Sequence, residues 1–236
     1  MYCIKLNLLD TKIIGELSMD TRVHGIAVTP EYKRSEKYSK NISLFRDCKV
    51  NLTSCDVIKA VTREATPEGI IAEINTPKLL GNDVITDERT LFLYRISDPG
   101  NLGTLMRTAL AFEWNRIVLL DDFVDPFNPE CIKSSMGAAL KLKLHSIKSS
   151  LMREFIESNN FKTFIADISD SIGNEGKYNN THKRIGLVLG SEANGFKGFP
   201  SDLYNQLEKI SIKMSKNVES LNVAVCGGIL MNKLNL

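Results

Sequence analysis

Apolar runs rich in β-branched and aromatic residues alternate with helical patterns from residue 86 onward. TLFLYRI (90–96) and RIVLL (116–120) have the nearly unbroken apolar character of buried strands, and LGTLMRTALAF (102–112) between them carries apolar residues at helical spacing. A strand, a helix and a second strand in this order are typical of a parallel α/β sheet. The pattern therefore predicts an α/β fold for this part of the chain.

The same alternation continues toward the carboxyl end of the sequence. The predicted strands are KLKLHSI, FKTFIADI, RIGLVLG (184–190) and KISIKM (209–214), and the predicted helices are LMREFIESNN, SDLYNQLE and SLNVAVCGGILMNKL. About six strands and their helices make one domain of roughly 150 residues.

The first part of the chain has a different pattern of apolar and polar residues. Two apolar stretches, HGIAVT and GIIAEI, are separated by polar segments such as PEYKRSEKYSKN. The segment TPKLLGND (76–83) contains a proline and a glycine, which favour a junction. We predict a smaller α/β domain over residues 1–84, followed by the larger domain over residues 85–236.

Composition narrows the class of protein without identifying its partner. The 236 residues are 43% hydrophobic, enough for a sizeable core, and 30 basic against 28 acidic residues give a net charge of +2. Any basic surface must therefore come from local segregation. The five cysteines are scattered without a C-x-x-C pair, so we read them as reduced thiols and assign no metal site.

The sequence carries no targeting signal that we recognise. No apolar run approaches the roughly 18 to 20 residues of a membrane span, and MYCIKLNLLDTK lacks the pattern of a signal peptide. We expect no membrane partner and an intracellular, by default cytoplasmic, protein; an organelle is the open alternative.

Three loops contain residues that could carry chemistry, and the first is DPGNLGTLMRTA (98–109). A strand that runs into a glycine-bearing turn and a helix is a common anion site. The sequence matches neither G-x-G-x-x-G nor G-x-x-x-x-G-K-[ST], and instead presents Asn101, Gly103 and Arg107. Asn101 and Arg107 could grip a phosphate, or they could be a helix cap and a surface arginine.

The second loop is LVLGSEANGF (187–196), which follows a buried strand. Open α/β sheets bind ligands at the carboxyl ends of their strands, so backbone amides and the Glu192 carboxylate would meet a ligand there. Glu192 could bond a ribose or a cation. The alternative is a turn with an exposed glutamate.

The third loop precedes the closing helix. Ile212, Met214 and Leu221 flank Ser220 and Asn222, a mixture of apolar and polar groups typical of a small-ligand pocket. The alternative is that Ser220 caps the helix above ordinary core residues.

In this order the three loops resemble the three signature motifs of the TrmH (SpoU) branch of the SPOUT RNA methyltransferases. NLGTLMRTALAF resembles the first motif, LVLGSEANGF the second, and ISIKM followed by VESLNVAV the third. DPFNPECIKSSMGAALKL is similar to the family segment between the first two. More faintly, HGIAVTPEY and TREATPEGIIAEI resemble the small α/β RNA-binding domain of the family, here in a shortened form.

The resemblance implies a fold and an assembly. It implies a SPOUT-type α/β knot, in which the last helix threads through a loop to make a C-terminal trefoil knot, and a homodimer with a shared active site. Nothing in composition or periodicity indicates a knot, and threaded chains are rare in general.

The resemblance also implies an activity and the residues that carry it. The implied reaction is S-adenosyl-L-methionine-dependent methyl transfer to a ribose 2′-hydroxyl of tRNA or rRNA. The cofactor would lie against Gly190, Ile212 and Leu221, with Leu189 and Met214 beside them. The residues that match catalytic or substrate-placing positions are Asn101, Arg107, Glu192, Ser220 and Asn222.

Three positions depart from the family pattern. Lys213 stands where proline is usual, Lys133 replaces a common arginine, and Glu113-Trp114 replaces a usual glycine. None of these changes removes a residue with an implied catalytic role, although proline at 213 would have fixed the backbone of that loop.

Two functions from different classes follow from these observations. The first is an active RNA 2′-O-methyltransferase, and the alternative is a catalytically inactive RNA-binding paralogue on the same fold. A hydrolase or a dehydrogenase lacks support because G-x-S-x-G and G-x-G-x-x-G are absent. The basic stretch YKRSEKYSKN (32–41) is either an RNA backbone contact or a solvated loop.

Overall fold

The protein was analysed as a computed structural model, which describes residues 23–41, 45, 48–62, 66–75, 77–80, 88–167, 183–215 and 217–235. Its strands are β1 (Val23–Val28), β2 (Lys49–Leu52), β3 (Ile70–Ile74), β4 (Arg89–Tyr94), β5 (Arg116–Leu120), β6 (Lys143–Ile147), β7 (Lys162–Ala166), β8 (Ile185–Leu189) and β9 (Glu208–Ile210). Its helices are α1 (Pro30–Lys33), α2 (Glu36–Asn41), α3 (Cys55–Thr62), α4 (Pro99–Ala111), α5 (Pro129–Ser134), α6 (Met152–Ser158), α7 (Ser201–Gln206) and α8 (Val223–Asn235). Short 3₁₀ turns cover Ala138–Leu140 and Ser149–Leu151.

Six strands form the main sheet in the order β6-β5-β4-β8-β7-β9, and every pairing in it is parallel. All residues of β5 and β8 are buried, as the apolar runs predicted. The α/β class with a parallel sheet is therefore confirmed. From β4 the chain continues to β5 and β6 on one side of the sheet, whereas β8 lies on the other side of β4 and is followed by β9 at the far edge. The carboxyl ends of β4 and β8 therefore flank a topological switch point.

The front of the chain forms a separate three-stranded sheet in the order β2-β1-β3. Strand β1 is parallel to β2 and antiparallel to β3, and α1 to α3 accompany the sheet. The predicted domain boundary at residue 84 lies outside the described residues. The segment just before it lies along β6, because the Leu80 N–H donates to the Leu144 carbonyl at 2.7 Å.

Two boundaries around the third loop differ from the prediction. The last strand ends at Ile210 rather than at Met214, so Ile212 and Met214 lie in a loop. The closing helix begins at Val223, and its cap is Asn222 rather than Ser220, because Asn222 Oδ1 accepts the backbone N–H groups of Ala224 and Val225 at 2.9 and 3.3 Å. The alternative in which Ser220 caps the helix is therefore wrong.

The closing helix packs tightly on α4. A Cβ at Gly227 would lie only 2.5 Å from Leu105 Cδ2 and 2.8 Å from Leu189 Cδ1, so any larger residue would force these buried leucines to move. At the far end, Asn235 accepts the indole N–H of Trp114 at 3.0 Å and donates to the Phe112 carbonyl at 2.9 Å. The helix is thus fixed at both ends against the segment that follows β4.

The end of α4 explains why a glycine is usual at the position of Glu113. Trp114 N–H donates to the Ala109 carbonyl and Glu113 N–H to the Leu110 carbonyl, the two bonds that close a helix through a left-handed residue. Glu113 is that residue, with φ at 64°. Its exposed side chain makes no hydrogen bond or ion pair that we find among the described residues.

Replacing Glu113 with glycine should therefore raise the free energy of unfolding by about 0.5 to 1 kcal/mol, because relief of the left-handed backbone exceeds the added entropy of the unfolded chain. Thermal or urea unfolding of the purified protein measures this change. Glu113→Ala is the matched control, since it removes the same side chain and keeps the strain. An equal effect of the two substitutions would contradict the explanation.

Candidate active site

The first motif is fixed by a cap at the start of α4. Asp98 Oδ1 accepts the backbone N–H of Asn101 at 2.6 Å, and Pro99 occupies the first helical turn, where a missing N–H costs nothing. The cap is thus Asp98 and not Asn101, contrary to one of the two sequence interpretations. The Asn101 side chain is left available for other contacts.

Asn101 joins the three predicted loops through its side-chain amide. Its Nδ2 donates to Glu192 Oε1 at 2.6 Å, and its Oδ1 accepts Asn222 Nδ2 at 2.9 Å. Asn222 can donate in this way because its own oxygen is occupied by the backbone of α8. The Asn101–Glu192–Asn222 chain of hydrogen bonds therefore links one residue from each motif, although 91 and 121 residues separate the bonded partners.

A cavity of about 470 Å³ lies beside these three hydrogen-bonded residues, at the carboxyl edge of the sheet. Seven of the ten residues predicted from the sequence line it: Leu189, Gly190, Glu192, Ile212, Met214, Ser220 and Leu221. Asn101, Arg107 and Asn222 do not line it. Its volume falls in the range of sites for drug-sized ligands, about 300 to 1,000 Å³.

Gly190 shapes the wall of the cavity by allowing the second loop to fold back. Ser191 and Gly195 exchange two backbone hydrogen bonds, and Gly195 has a left-handed φ of 52°. A Cβ at Gly190 would lie 2.8 Å from the Gly195 carbonyl oxygen, too close for any other residue. This turn directs Glu192 toward Asn101.

The cavity is lined by acidic but not by basic side chains among the described residues. Asp167, Glu192 and Glu219 are lining residues, and no Lys, Arg or His is among them. Tyr204 also lines it, and its hydroxyl donates to Asp167 Oδ2 at 3.0 Å. Burial, followed by the hydrogen bond and the charge of Asp167, raises the pKa of Tyr204 above its usual value. The arrangement favours a ligand that carries positive charge.

Cys226 is the one cysteine among the lining residues, and it is not a nucleophile at neutral pH. Burial raises its pKa to about 11, so the thiol stays protonated. No group of three or more His, Cys, Asp or Glu residues within the described ranges could hold a metal ion.

Several lining residues were missed by the sequence analysis, among them Asp167, Phe196, Tyr204 and Glu219. Asp167 follows β7 directly, and the rule that ligands lie at the carboxyl ends of parallel strands could have found it. The role of Tyr204 depends on its contact with Asp167, which is 37 residues away. No local signal in the sequence indicates that contact.

Arg107 lies apart from the cavity. It is exposed on α4, and the structure shows no contact between it and Asn101 among the described residues. Both polar atoms of the Asn101 side-chain amide bond to Glu192 and Asn222, so within one chain the structure does not bring Asn101 and Arg107 together as the spacing suggested. The adjacent α8 exposes Val225 and Ile229, at 52% and 43% of their surface.

The chain is similar in sequence to a known family of proteins. The sequence model of the SpoU rRNA methylase family matches residues 88–232. An uncharacterized tRNA/rRNA methyltransferase of Synechocystis is 29% identical over 76% of this chain, and the match spans 65% of that relative's length. The 23S rRNA (guanosine(2553)-2′-O)-methyltransferase of Bacillus subtilis is 26% identical over 78% of this chain and 71% of its own.

A solved structure supports the fold over nearly the whole chain. The rRNA methyltransferase of Sinorhizobium meliloti superposes with a TM-score of 0.80 at 20% identity, and the match covers 98% of this chain and 86% of the other. No helix within the described ranges is both long and apolar enough to cross a bilayer. Since the family model covers 145 of the 236 residues (88 to 232 inclusive), the chain belongs to the SpoU rRNA methylase family, as the three motifs predicted.

Proposed function

We propose that this protein is an S-adenosyl-L-methionine-dependent methyltransferase that acts on a ribose 2′-hydroxyl of tRNA or rRNA. The observation that carries the proposal is the Asn101–Glu192–Asn222 chain of hydrogen bonds, which holds the three family motifs together beside the cavity. An inactive paralogue would have no need to retain this arrangement.

The cavity fits the proposed cofactor in size and in charge. Leu189, Ile212 and Leu221 supply apolar walls for a purine and for the methylene groups of the methionine part. Asp167, Glu192 and Glu219 supply negative charge for a ligand that bears a sulfonium and an ammonium group. When bound, S-adenosyl-L-methionine supplies a methyl group that needs no further activation.

The task left to the protein is to align the acceptor oxygen and to hold the RNA. Glu192 and Ser220 are polar groups at the cavity that can orient a ribose by hydrogen bonding. Arg107 is suited to bind a phosphate through its planar guanidinium, which also cannot act as a general base because it stays protonated. We therefore assign Arg107 to substrate placement.

We further propose a knotted homodimer in which Arg107 serves the cavity of the partner. Arg107 does not line its own cavity, and it lies on α4, next to the helix that exposes Val225 and Ile229. An apolar pair one turn apart on a packed helix is the kind of surface that a second subunit covers. Thr108, adjacent to Arg107, faces Gly228 of that helix, so the arginine borders the proposed interface.

The front sheet is proposed as a second RNA contact. Lys33, Arg34 and Lys40 are exposed around α1 and α2, whereas Lys37 is paired with Glu68 at 3.2 Å. Exposed cations of this kind bind the RNA backbone without sequence preference. Their contribution is measured by the salt dependence of RNA affinity.

Arg107→Ala tests the placement role and should lower methyl transfer on the order of 100-fold while leaving S-adenosyl-L-methionine affinity unchanged. The measurements are transfer of a labelled methyl group to RNA from a strain that lacks the gene, and calorimetry with the cofactor. The nearby Lys133→Ala is the control, since Lys133 is exposed and lies outside the cavity.

Co-expression of two inactive variants tests the shared site. If Arg107 acts in the partner's cavity, a mixed dimer of Arg107→Ala with Asn101→Ala has one intact site and one site that lacks both side chains. About half of the dimers formed at random are mixed, so the mixture should regain about a quarter of wild-type activity.

Two outcomes bear on the activity itself. Cofactor binding without methyl transfer to any RNA would favour the inactive paralogue, and absence of both cofactor binding and transfer would refute the proposed activity.

A further inference from the structure

Arg95 has an unusual backbone conformation at the end of the central strand β4. Its φ is 53°, in the left-handed region that glycine adopts freely and that strains other residues. Its backbone N–H donates to the Leu120 carbonyl at 3.2 Å, which continues the pairing with β5 and fixes the conformation. A non-glycine residue held in this region at the carboxyl edge of a sheet suggests a functional reason.

Two other left-handed residues in the described ranges, Glu113 and Asp121, show reasons that Arg95 lacks. Glu113 ends a helix, and the carboxylate of Asp121 accepts both the backbone N–H and the hydroxyl of Ser149, at 2.7 and 2.8 Å. Arg95 is exposed, it does not end a helix, and its side chain does not bond to a following turn as that of Asp121 does. The strain at Arg95 is therefore not explained by the packing of its own side chain.

The guanidinium of Arg95 is held by neighbouring groups but has no carboxylate partner among the described residues. Its Cζ lies 5.1 Å from the centre of the Tyr94 ring, and its Nη1 reaches the Lys197 carbonyl only at 3.5 Å. Gly198 leaves space for it, since a Cβ there would come within 3.3 Å of Nη1. Within the described part of the chain, no carboxylate oxygen lies within ion-pair distance of this group.

Arg95 borders the same loop that carries Glu192. Tyr94 donates its hydroxyl to the Lys197 carbonyl at 3.1 Å and stacks on Phe196 at 6.3 Å, and Phe196 lines the cavity. The guanidinium is thus separated from the cavity by two stacked rings. Lys197, which is also exposed, adds a second positive charge at this end of the loop.

We propose that Arg95 is an RNA-binding residue whose guanidinium holds a backbone phosphate of the substrate next to the nucleotide that enters the cavity. The inference rests on the proposed function, because it requires RNA as the substrate. An RNA strand that places one ribose in the cavity must lay its neighbouring phosphates over the rim. A planar guanidinium that stacks on Tyr94 and has no carboxylate partner in the described part of the chain matches a phosphate well.

The test uses Arg95→Gly, because glycine relieves the backbone strain while it removes the charge. The purified full chain should show an unfolding midpoint no lower than that of wild type. Its affinity for ribosomal RNA from a strain that lacks the gene should fall roughly fivefold, and the slope of log affinity against log salt should decrease by about 1. S-adenosyl-L-methionine affinity, measured by calorimetry, should not change.

Two further variants complete the test. Glu113→Gly makes the same backbone change at another exposed left-handed residue, and it should leave RNA affinity and the salt slope at the wild-type values. Arg95→Lys keeps the charge, so it should retain the wild-type slope. Equal RNA affinity of Arg95→Gly and wild type would overturn the role of Arg95 alone. A wild-type chain that binds no RNA would refute the proposed function as well.

Discussion

Replacing Asn101 with alanine should lower methyl transfer to RNA on the order of 100-fold or more, the usual loss when one positioned hydrogen-bonding group is removed from an active site. The substitution removes two bonds at once, to Glu192 at 2.6 Å and from Asn222 at 2.9 Å. Glu192 would lose the donor that directs its carboxylate, and the second and third loops would lose their common partner. Initial rates with labelled S-adenosyl-L-methionine measure the effect.

Two variants separate this explanation from general damage to α4. Asn101→Asp should be at least as inactive, because it sets a second carboxylate against Glu192. Thr104 is exposed and lies nearly one turn further along the same helix, and among the described residues its hydroxyl donates only to the Gly100 carbonyl, at 2.8 Å, so Thr104→Ala is the second variant. It should keep nearly full activity. If Thr104→Ala loses as much activity as Asn101→Ala, the role given to Asn101 is wrong.

Replacing Gly103 with alanine should destabilise the fold by about 3 kcal/mol, near the upper end of costs for an overpacked core. An added Cβ would lie 1.9 Å from Ser134 Oγ, 2.6 Å from the Cys131 carbonyl oxygen and 2.9 Å from the Ser135 nitrogen. Two of these atoms belong to the backbone of α5 and its cap, so rotation of a side chain cannot relieve the clash. Chemical unfolding measures the change.

Gly100→Ala is the matched control for this prediction, since it lies in the first turn of the same helix. The nearest atom to its added Cβ is Asp98 Oδ1 at 3.2 Å, so the capping carboxylate needs to shift by only a few tenths of an ångström. Because alanine favours the helix over glycine, its unfolding midpoint should be unchanged or higher. Similar losses in both variants would show that contact with α5 is not the cause.

The fold around the six-stranded sheet could be predicted because its central strands are buried on both faces. β5 has the bounds that the run RIVLL indicated, and β8 differs by one residue at each end. The last strand was predicted too long because Ile212 and Met214 continue an apolar alternation. These two residues are apolar because they line the cavity, and a sequence pattern cannot distinguish burial by a sheet from burial by a ligand site.

The candidate site could be predicted only in part. The three motifs named the residues that meet, and the structure places seven of the ten at the cavity; their catalytic and cofactor-binding roles remain predictions. Spacing suggested that Arg107 and Asn101 act together, yet Asn101 faces Glu192 and Asn222 instead. Such pairings join residues far apart in the sequence, and they depend on how the parallel strands are ordered in the sheet.

Nucleoside analysis of methylated RNA tests the central claim most directly. RNA from a strain that lacks the gene is incubated with the purified protein and methyl-labelled S-adenosyl-L-methionine, and is then digested to nucleosides. The account predicts that the label appears in a 2′-O-methylated nucleoside and is absent with Asn101→Ala. Label in a base-methylated nucleoside, or no label in any RNA, would contradict it.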